Sequence, residues 1–302
     1  MKPRIDPTDL AEYNIPFAGD TQNKLARARL RFLKMELMEN PRVNKAYIRG
    51  GVREFLPALE KVIATIPKGS SLIVMPSTTG QNRIPAMLGD GIVKLRPDIE
   101  LVNAKGRSIT VQHLTESKFK EGVVDRLRDQ RNFAIKPELI AKRGQLNRSS
   151  FILDDSISTG DSAITLHRQL LREGIYARGI IAAVSGSRYH VRQSDVDRLY
   201  EKIKDHRPAD YRGDQLKLDM YNTFIGYPEA KVKRLELGLT RDRSNQIYQR
   251  PDLVVQVIRA TSAYLNKEKL GAGHMLEMRK QVMPELGNRQ TKKPQSDNKL
   301  KF

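Results

Sequence analysis

The chain has 302 residues, a formal net charge of +19, 39% hydrophobic and 6% aromatic residues, and neither Cys nor Trp. That length allows one large domain or two modest ones, and the missing cysteines exclude disulfides, thiolate metal sites and cysteine nucleophiles. A pI near 10.0, no long apolar run and no signal-like leader set the expectation of a soluble, cytoplasmic protein, without a membrane role, that attracts polyanions such as phosphorylated ligands or nucleic acid.

Residues 1–20 mix Pro, Asp and Gly with few apolar repeats and read as an extended arm. Residues 21–38 read as a helix with Thr21 as N-cap. Leu25, Ala28, Phe32 and Met35 form one apolar stripe and Leu30, Leu33 and Leu37 a second, so a wide buried surface is expected. Lys24, Arg27, Arg31 and Lys34 form its polar side, a solvated basic face or, in a sharper reading, one that meets nucleic acid. Residues 52–66 read as a second helix with Phe55, Leu56, Leu59, Val62 and Ile63 apolar; Pro57 belongs in its first turn or kinks it.

Leu72-Ile73-Val74-Met75 reads as a buried strand, Pro76-Ser77-Thr78-Thr79-Gly80 as a loop, and a helix starts at Ile84. Such a strand–loop–helix unit suits a phosphate group, because helix N-termini present unpaired N–H groups. Ile99-Glu100-Leu101-Val102 reads as the next strand, followed by Asn103-Ala104-Lys105-Gly106-Arg107. Residues 108–148 form a long, polar, charged excursion.

Ser150-Phe151-Ile152-Leu153-Asp154-Asp155-Ser156-Ile157-Ser158-Thr159-Gly160-Asp161-Ser162 organises the chain. A continuous apolar run fits a strand buried on both faces. Two adjacent carboxylates follow, then a hydroxyl-rich loop and a helical pattern with Ala163, Leu166, Leu170 and Leu171, ending at Gly174. Ile180-Ile181-Ala182-Ala183-Val184 reads as the next strand, which implies a parallel crossover. The loop has the chemistry of a phosphate cradle: N–H groups at a helix start, Gly160 able to adopt positive φ, and hydroxyls from Ser158, Thr159 and Ser162. Asp154 and Asp155 would repel that phosphate and suit the adjacent hydroxyls of a sugar. A haloacid-dehalogenase nucleophile pattern does not fit the carboxylate spacing, and a Walker loop would need a lysine. An ordinary helix cap is the plain alternative.

Beyond this unit, Ser185-Gly186-Ser187-Arg188-Tyr189-His190 lies at a strand's C-terminal end, where Arg188, Tyr189 or His190 would line an acceptor pocket. Residues 194–206 and 252–265 read as helices, and 216–227 as a helix or a buried segment. The last residues, 287–302, read as a disordered basic tail.

The run Leu153-Asp154-Asp155-Ser156-Ile157-Ser158-Thr159-Gly160-Asp161-Ser162 resembles the ribose-phosphate loop of the type I phosphoribosyltransferases: an apolar strand, two acids, three variable positions, Thr-Gly, a variable position, then Ser or Thr. Asp161 departs from the small residue common there. Thr110-Val111-Gln112-His113-Leu114 and Arg131-Asn132-Phe133 loosely resemble ComF-type members, in a region where the family has a loop that closes over the site. The resemblance implies an α/β fold with a parallel sheet flanked by helices and with helical N- and C-terminal additions. It suggests an N-terminal arm and helices over 1–69, a phosphoribosyltransferase-like core over 70–190, a C-terminal helical region over 191–286 and the tail. It implies that Asp154 and Asp155 hold the ribose of phosphoribosyl pyrophosphate (PRPP), that Ser158, Thr159, Gly160, Asp161 and Ser162 wrap its 5-phosphate, and that Ser77, Thr78, Thr79, Gly80, Lys105 and Arg107 meet the pyrophosphate. Mg²⁺ would be held mainly by the ligand, with no direct protein site. Three functions are consistent with this: a phosphoribosyltransferase releasing pyrophosphate, a non-catalytic PRPP- or nucleotide-sensing regulator that binds nucleic acid through its basic surface, or a nucleic-acid-binding protein whose acidic loop is incidental. Oligomerisation is compatible with each.

Overall fold

Short strands with apolar runs at their centre make the middle of the fold, because a strand flanked by helices on both sides has no face left for water. The computed structural model describes residues 17–20, 24–40, 44–77, 82–103, 110–114, 131–157, 160–185 and 191–224, with residues 232, 251, 252, 254–256, 258, 259 and 262. In chain order the elements are β1 (Phe17–Asp20), α1 (Lys24–Glu39), α2 (Lys45–Arg53), α3 (Leu56–Thr65), β2 (Ser71–Val74), α4 (Ile84–Leu95), β3 (Glu100–Val102), β4 (Val111–His113) and β5 (Phe133–Ile135). Then come α5 (Pro137–Ala141), α6 (Arg143–Arg148), β6 (Ser150–Ile157), α7 (Asp161–Arg172), β7 (Ile180–Ser185), α8 (Gln193–Ile203), a 3₁₀ turn (Lys204–His206) and α9 (Gly213–Phe224).

Five strands form one sheet in the order β1-β7-β6-β2-β3, and every pairing in it is parallel. Alternation along the strands divides the core in two. Leu72, Val74, Leu153, Ile181 and Ala183 face Leu30, Leu33, Ile48, Leu59 and Leu88 of α1–α4. Ile73, Ile152, Ile180 and Ala182 face the other way, onto Phe133, Leu166, Leu170, Leu199 and Phe224. The result is a helix–sheet–helix sandwich, with α1–α4 on one face and the β4–β5 hairpin and α5–α9 on the other.

Several elements depart from the sequence reading. Residues 17–20 are not part of an arm: they form an edge strand, with Phe17 opposite Ile180 and Ala18 opposite Ile181; residues 1–16 lie outside the described residues. The helix expected over 52–66 is two helices, α2 and α3, separated at Glu54 and Phe55. Asn44 caps α2 by accepting from the Ala46 N–H at 2.8 Å, and Pro57 does sit in the first turn of α3. Helix α1 does not bury both apolar stripes. Leu30 and Leu33 go into the core while Leu25, Phe32 and Met35 remain exposed. Gly51 of α2 makes the room: a Cβ there would lie 2.8 Å from Leu33 Cδ2.

The excursion over 108–148 holds the antiparallel β4–β5 hairpin and α5 and α6, while residues 115–130 lie outside the described residues. Gly174 ends α7 with φ +73°, as expected. The helix read over 194–206 is α8 with its 3₁₀ turn, and the one read over 216–227 is α9, which begins earlier, at Gly213. Asp252, Val254, Val255 and Ile258 are helical within the segment read over 252–265. The tail over 287–302 lies outside the described residues. Among the described residues no helix is long and apolar enough to cross a membrane.

The C-terminal helices are held on by a buried acceptor. Asp219 of α9 takes hydrogen bonds from the Tyr211 hydroxyl, from Gln215 Nε2 at 2.8 Å and from Ser262 Oγ at 2.7 Å. Arg259 stacks 5.0 Å from the centre of the Tyr211 ring and pairs with Asp210 at 2.9 Å.

Candidate functional site

The chain leaves β2 through α4 towards β3 and leaves β6 through α7 towards β7, in opposite directions along the sheet. The two crossover helices therefore lie on opposite faces, and the strand order reverses between β2 and β6. In open parallel sheets this reversal, at the strands' C-terminal ends, is where the connecting loops part and a ligand finds room. The two loops that the sequence singles out are the ones that leave β2 and β6.

Asn82 joins them. Its N–H donates to Ser77 Oγ at 3.2 Å, and its Oδ1 accepts from the Ile84 N–H at 3.2 Å, capping the start of α4. Its Nδ2 donates to Asp155 Oδ2 at 2.7 Å. The loop after β2 is thereby fastened to the end of β6.

The two carboxylates play different parts. Consecutive strand residues point to opposite faces, so Asp155 shares the face of Leu153, towards α1, and Asp154 shares the face of Ile152, towards α7. Asp155 is 1% exposed, a burial a carboxylate tolerates only when paired and hydrogen-bonded. Lys34 Nζ of α1 lies 2.7 Å from Asp155 Oδ1, and Ser156 Oγ donates to that oxygen at 3.1 Å. Lys34 also donates to Ser156 Oγ at 2.9 Å. With Asn82 on Oδ2, both oxygens of Asp155 are occupied by the protein itself. Asp154 is half-buried, and its Oδ1 accepts from the Asp155 N–H at 2.8 Å. Burial, and then the neighbouring Asp155 charge, push the Asp154 carboxyl well above the ordinary carboxylate range, with Lys34 pulling the other way.

Gly160 precedes α7 with φ 80° and ψ −3°, a left-handed conformation that costs other L-residues energy. Its carbonyl accepts from the Ile164 N–H at 2.9 Å. Asp161 and Ser162, both half-buried, form the first turn of α7, which follows the end of β6 and carries the positive end of the helix dipole. Asn103 closes the other side. At φ 63° it donates to Val74 O at 2.9 Å and accepts from the Thr110 and Val111 N–H groups at 3.1 and 3.0 Å. The ends of β2 and β3 and the start of β4 thus share one side chain. Across the sheet face, Gln169 of α7 accepts from the Phe133 N–H at 2.7 Å and donates to Asn132, seating the hairpin.

Of the residues expected in the site, Ser77, Asp154, Asp155, Gly160, Asp161 and Ser162 are described, and they lie on the loops at the sheet's reversal or at their edges. Thr78, Thr79, Gly80, Lys105, Arg107, Ser158 and Thr159 lie outside the described residues, as do Arg188, Tyr189 and His190. Sequence reasoning missed Asn82 and misplaced Lys34. Asn82 stands just before Arg83-Ile84-Pro85, a helix-start pattern that was open to recognition. Lys34 is not merely part of a solvated face: it reaches a buried acid. No local signal announces a pairing across 121 residues (155 − 34). Among the described residues, no group of three or more His, Asp or Glu side chains is arranged to hold a metal ion. No protein-family model and no curated protein matches the chain.

Proposed function

We propose that this protein binds PRPP and transfers its phosphoribosyl group to a nitrogenous acceptor with release of pyrophosphate. The observation that carries the proposal is the Asn82–Asp155 hydrogen bond at 2.7 Å, which fastens the start of α4 to the end of β6 at the sheet's reversal, beside the two stretches whose residue types suit a pyrophosphate and a ribose 5-phosphate. In this reading Asp154 accepts hydrogen bonds from the ribose hydroxyls, and Asp155 fixes the end of β6. The first turn of α7, opened by Gly160, receives the 5-phosphate together with Ser158, Thr159 and Ser162. Ser77, Thr78, Thr79 and Gly80, with Lys105 and Arg107, receive the pyrophosphate.

The acceptor nitrogen's lone pair forms the new bond to the anomeric carbon, the bond from that carbon to the pyrophosphate oxygen breaks, and the pyrophosphate leaves with the electron pair. The acceptor then gives up its proton. Positioning and stabilisation of the leaving anion supply most of the acceleration in such a step. A Mg²⁺ ion would be held mainly by the ligand's own phosphate oxygens, and the chemistry it would supply is neutralisation of charge on the departing pyrophosphate.

A second reading, a PRPP- or nucleotide-sensing regulator that also binds nucleic acid, draws support from Asp155. Both its oxygens are engaged by protein groups, which leaves one carboxylate for the sugar. Calorimetric titration with PRPP and Mg²⁺, alongside ribose 5-phosphate and ATP, tests the site. Selective PRPP binding that is lost in Asp154→Asn supports it. Unchanged affinity in that variant, or no binding at all, refutes it. Pyrophosphate release with a panel of nucleobases then separates transferase from sensor.

A further inference from the structure

Helix α1 has two apolar faces, and among the described residues the core takes one. Leu25 is 78% exposed, Phe32 45% and Met35 43%, and Ala28 between them is also exposed. The spacing 25, 28, 32, 35 is the three–four–three rhythm of a helix–helix seam. Assigning these to a and d positions puts Leu30 and Leu33, the core residues, on the far side of the helix. Tyr47 of the neighbouring helix α2 is also exposed.

We propose that this seam pairs antiparallel with the same seam of a second copy of the chain. Reversing the helix about residue 30 sets Leu25 against the copy's Met35 and Ala28 against the copy's Phe32. A large side chain then meets a small one in two of the four layers, and the interface is self-complementary as a two-fold contact requires. On one flank, Arg29 is already paired with Glu54 at 3.1 Å, and Glu36 adds a carboxylate there. On the other, Arg31 approaches the copy's Arg31. A nucleic acid fits less well, since the seam holds one aromatic side chain and base stacking needs several. The small seam places the association at the weak end of specific interfaces.

The charge on the Arg31 flank makes salt the discriminating variable. Screening relieves repulsion between copies, so dimerisation strengthens with added salt, whereas binding to a polyanion weakens. Sedimentation of the full chain across protein and salt concentrations is the experiment. A reversible dimer that tightens with salt and is lost in Phe32→Asp and in Ala28→Phe is expected; both positions are exposed, and denaturation curves check that these variants stay folded. Because the chain has no cysteine, Leu25→Cys and Met35→Cys proteins can be mixed and joined with a short bismaleimide. Cross-linking of the mixture several-fold above either protein alone is expected. A monomer at every concentration overturns the proposal. So does equal cross-linking of Leu25→Cys with itself, or a seam-dependent, salt-weakened complex with a single-stranded oligonucleotide in place of self-association.

Discussion

The Lys34 ammonium lies 2.7 Å from a carboxylate oxygen of Asp155, joining helix α1 to the strand that ends at the candidate site. Removing the lysine would leave a buried acid without its cation. Lys34→Met is expected to cost about 2–3 kcal/mol, below the usual loss for breaking a fully buried pair because Lys34 is itself partly solvated. Lys34→Arg should recover part of that loss. Urea unfolding of the three proteins at neutral pH provides the comparison.

Asp154 makes stability fall as pH rises. Its folded-state proton affinity is raised by burial and by Asp155, so the folded chain holds a proton that the unfolded chain releases. That contribution is complete below the ordinary carboxylate pKa and is lost as pH climbs through the folded value. Asp154→Asn should abolish this part of the pH dependence, and Lys34→Met, which removes the opposing charge, should extend it to higher pH. Denaturant midpoints from pH 4 upward are the readout.

His167 acts in the opposite sense. It is buried on α7, its Nε2–H facing Ala177 O at 3.0 Å, and burial holds its pKa down to about 4, with the Ala177 carbonyl opposing and Arg168 assisting. The neutral ring's contribution is complete above the ordinary histidine value and is lost as pH falls towards 4. Between pH 7 and pH 5 that loss is about 2 kcal/mol, from the proton affinity difference alone. His167→Gln should flatten this limb of the stability profile, whatever its cost at pH 7.

Asp219 gathers three donors from Tyr211, Gln215 and Ser262. Asp219→Asn replaces an acceptor oxygen with a donor facing other donors, and a loss of about 2–3 kcal/mol is expected. Tyr211→Phe removes one hydroxyl and should cost about 1 kcal/mol. If thermal melting finds the two variants equal, the carboxylate is not the hub of this contact.

Gly160→Ala tests the loop before α7. A left-handed φ of 80° should make the alanine cost about 1 kcal/mol. On the proposed function it should also weaken ribose 5-phosphate binding, which calorimetry can measure at a temperature where both proteins are folded.

The β6–loop–α7–β7 unit was legible because each strand carries an unbroken apolar run and Gly174 marks the helix end. The reversal between β2 and β6 was not, since strand order depends on which distant runs pair. Helix α1 shows a sharper limit. Its two stripes share one period, and nothing local says which is buried; the absent side chain of Gly51, on another helix, decides it. Asp154 and Asp155 read as one pair in the sequence, yet a strand turns neighbours to opposite faces, and the sheet gives them separate surroundings. The part of the site held by Lys34 and Asn82 depends on contacts between elements far apart in sequence, which no motif records.

The edge strand β1 has a consequence for biosynthesis. Phe17 pairs with Ile180, so 163 further residues (180 − 17) must be made before the first strand meets its neighbour. At ribosomal rates of about 5–20 residues per second the wait is about 8–33 s. Throughout it β1 has no ladder, and for most of it Lys34 of α1 has no β6 acid to meet. The stretch that carries β1 and α1 is the one on which a ribosome-associated chaperone would act, and a pause in translation just before β7 would prolong its exposure more than a pause anywhere after.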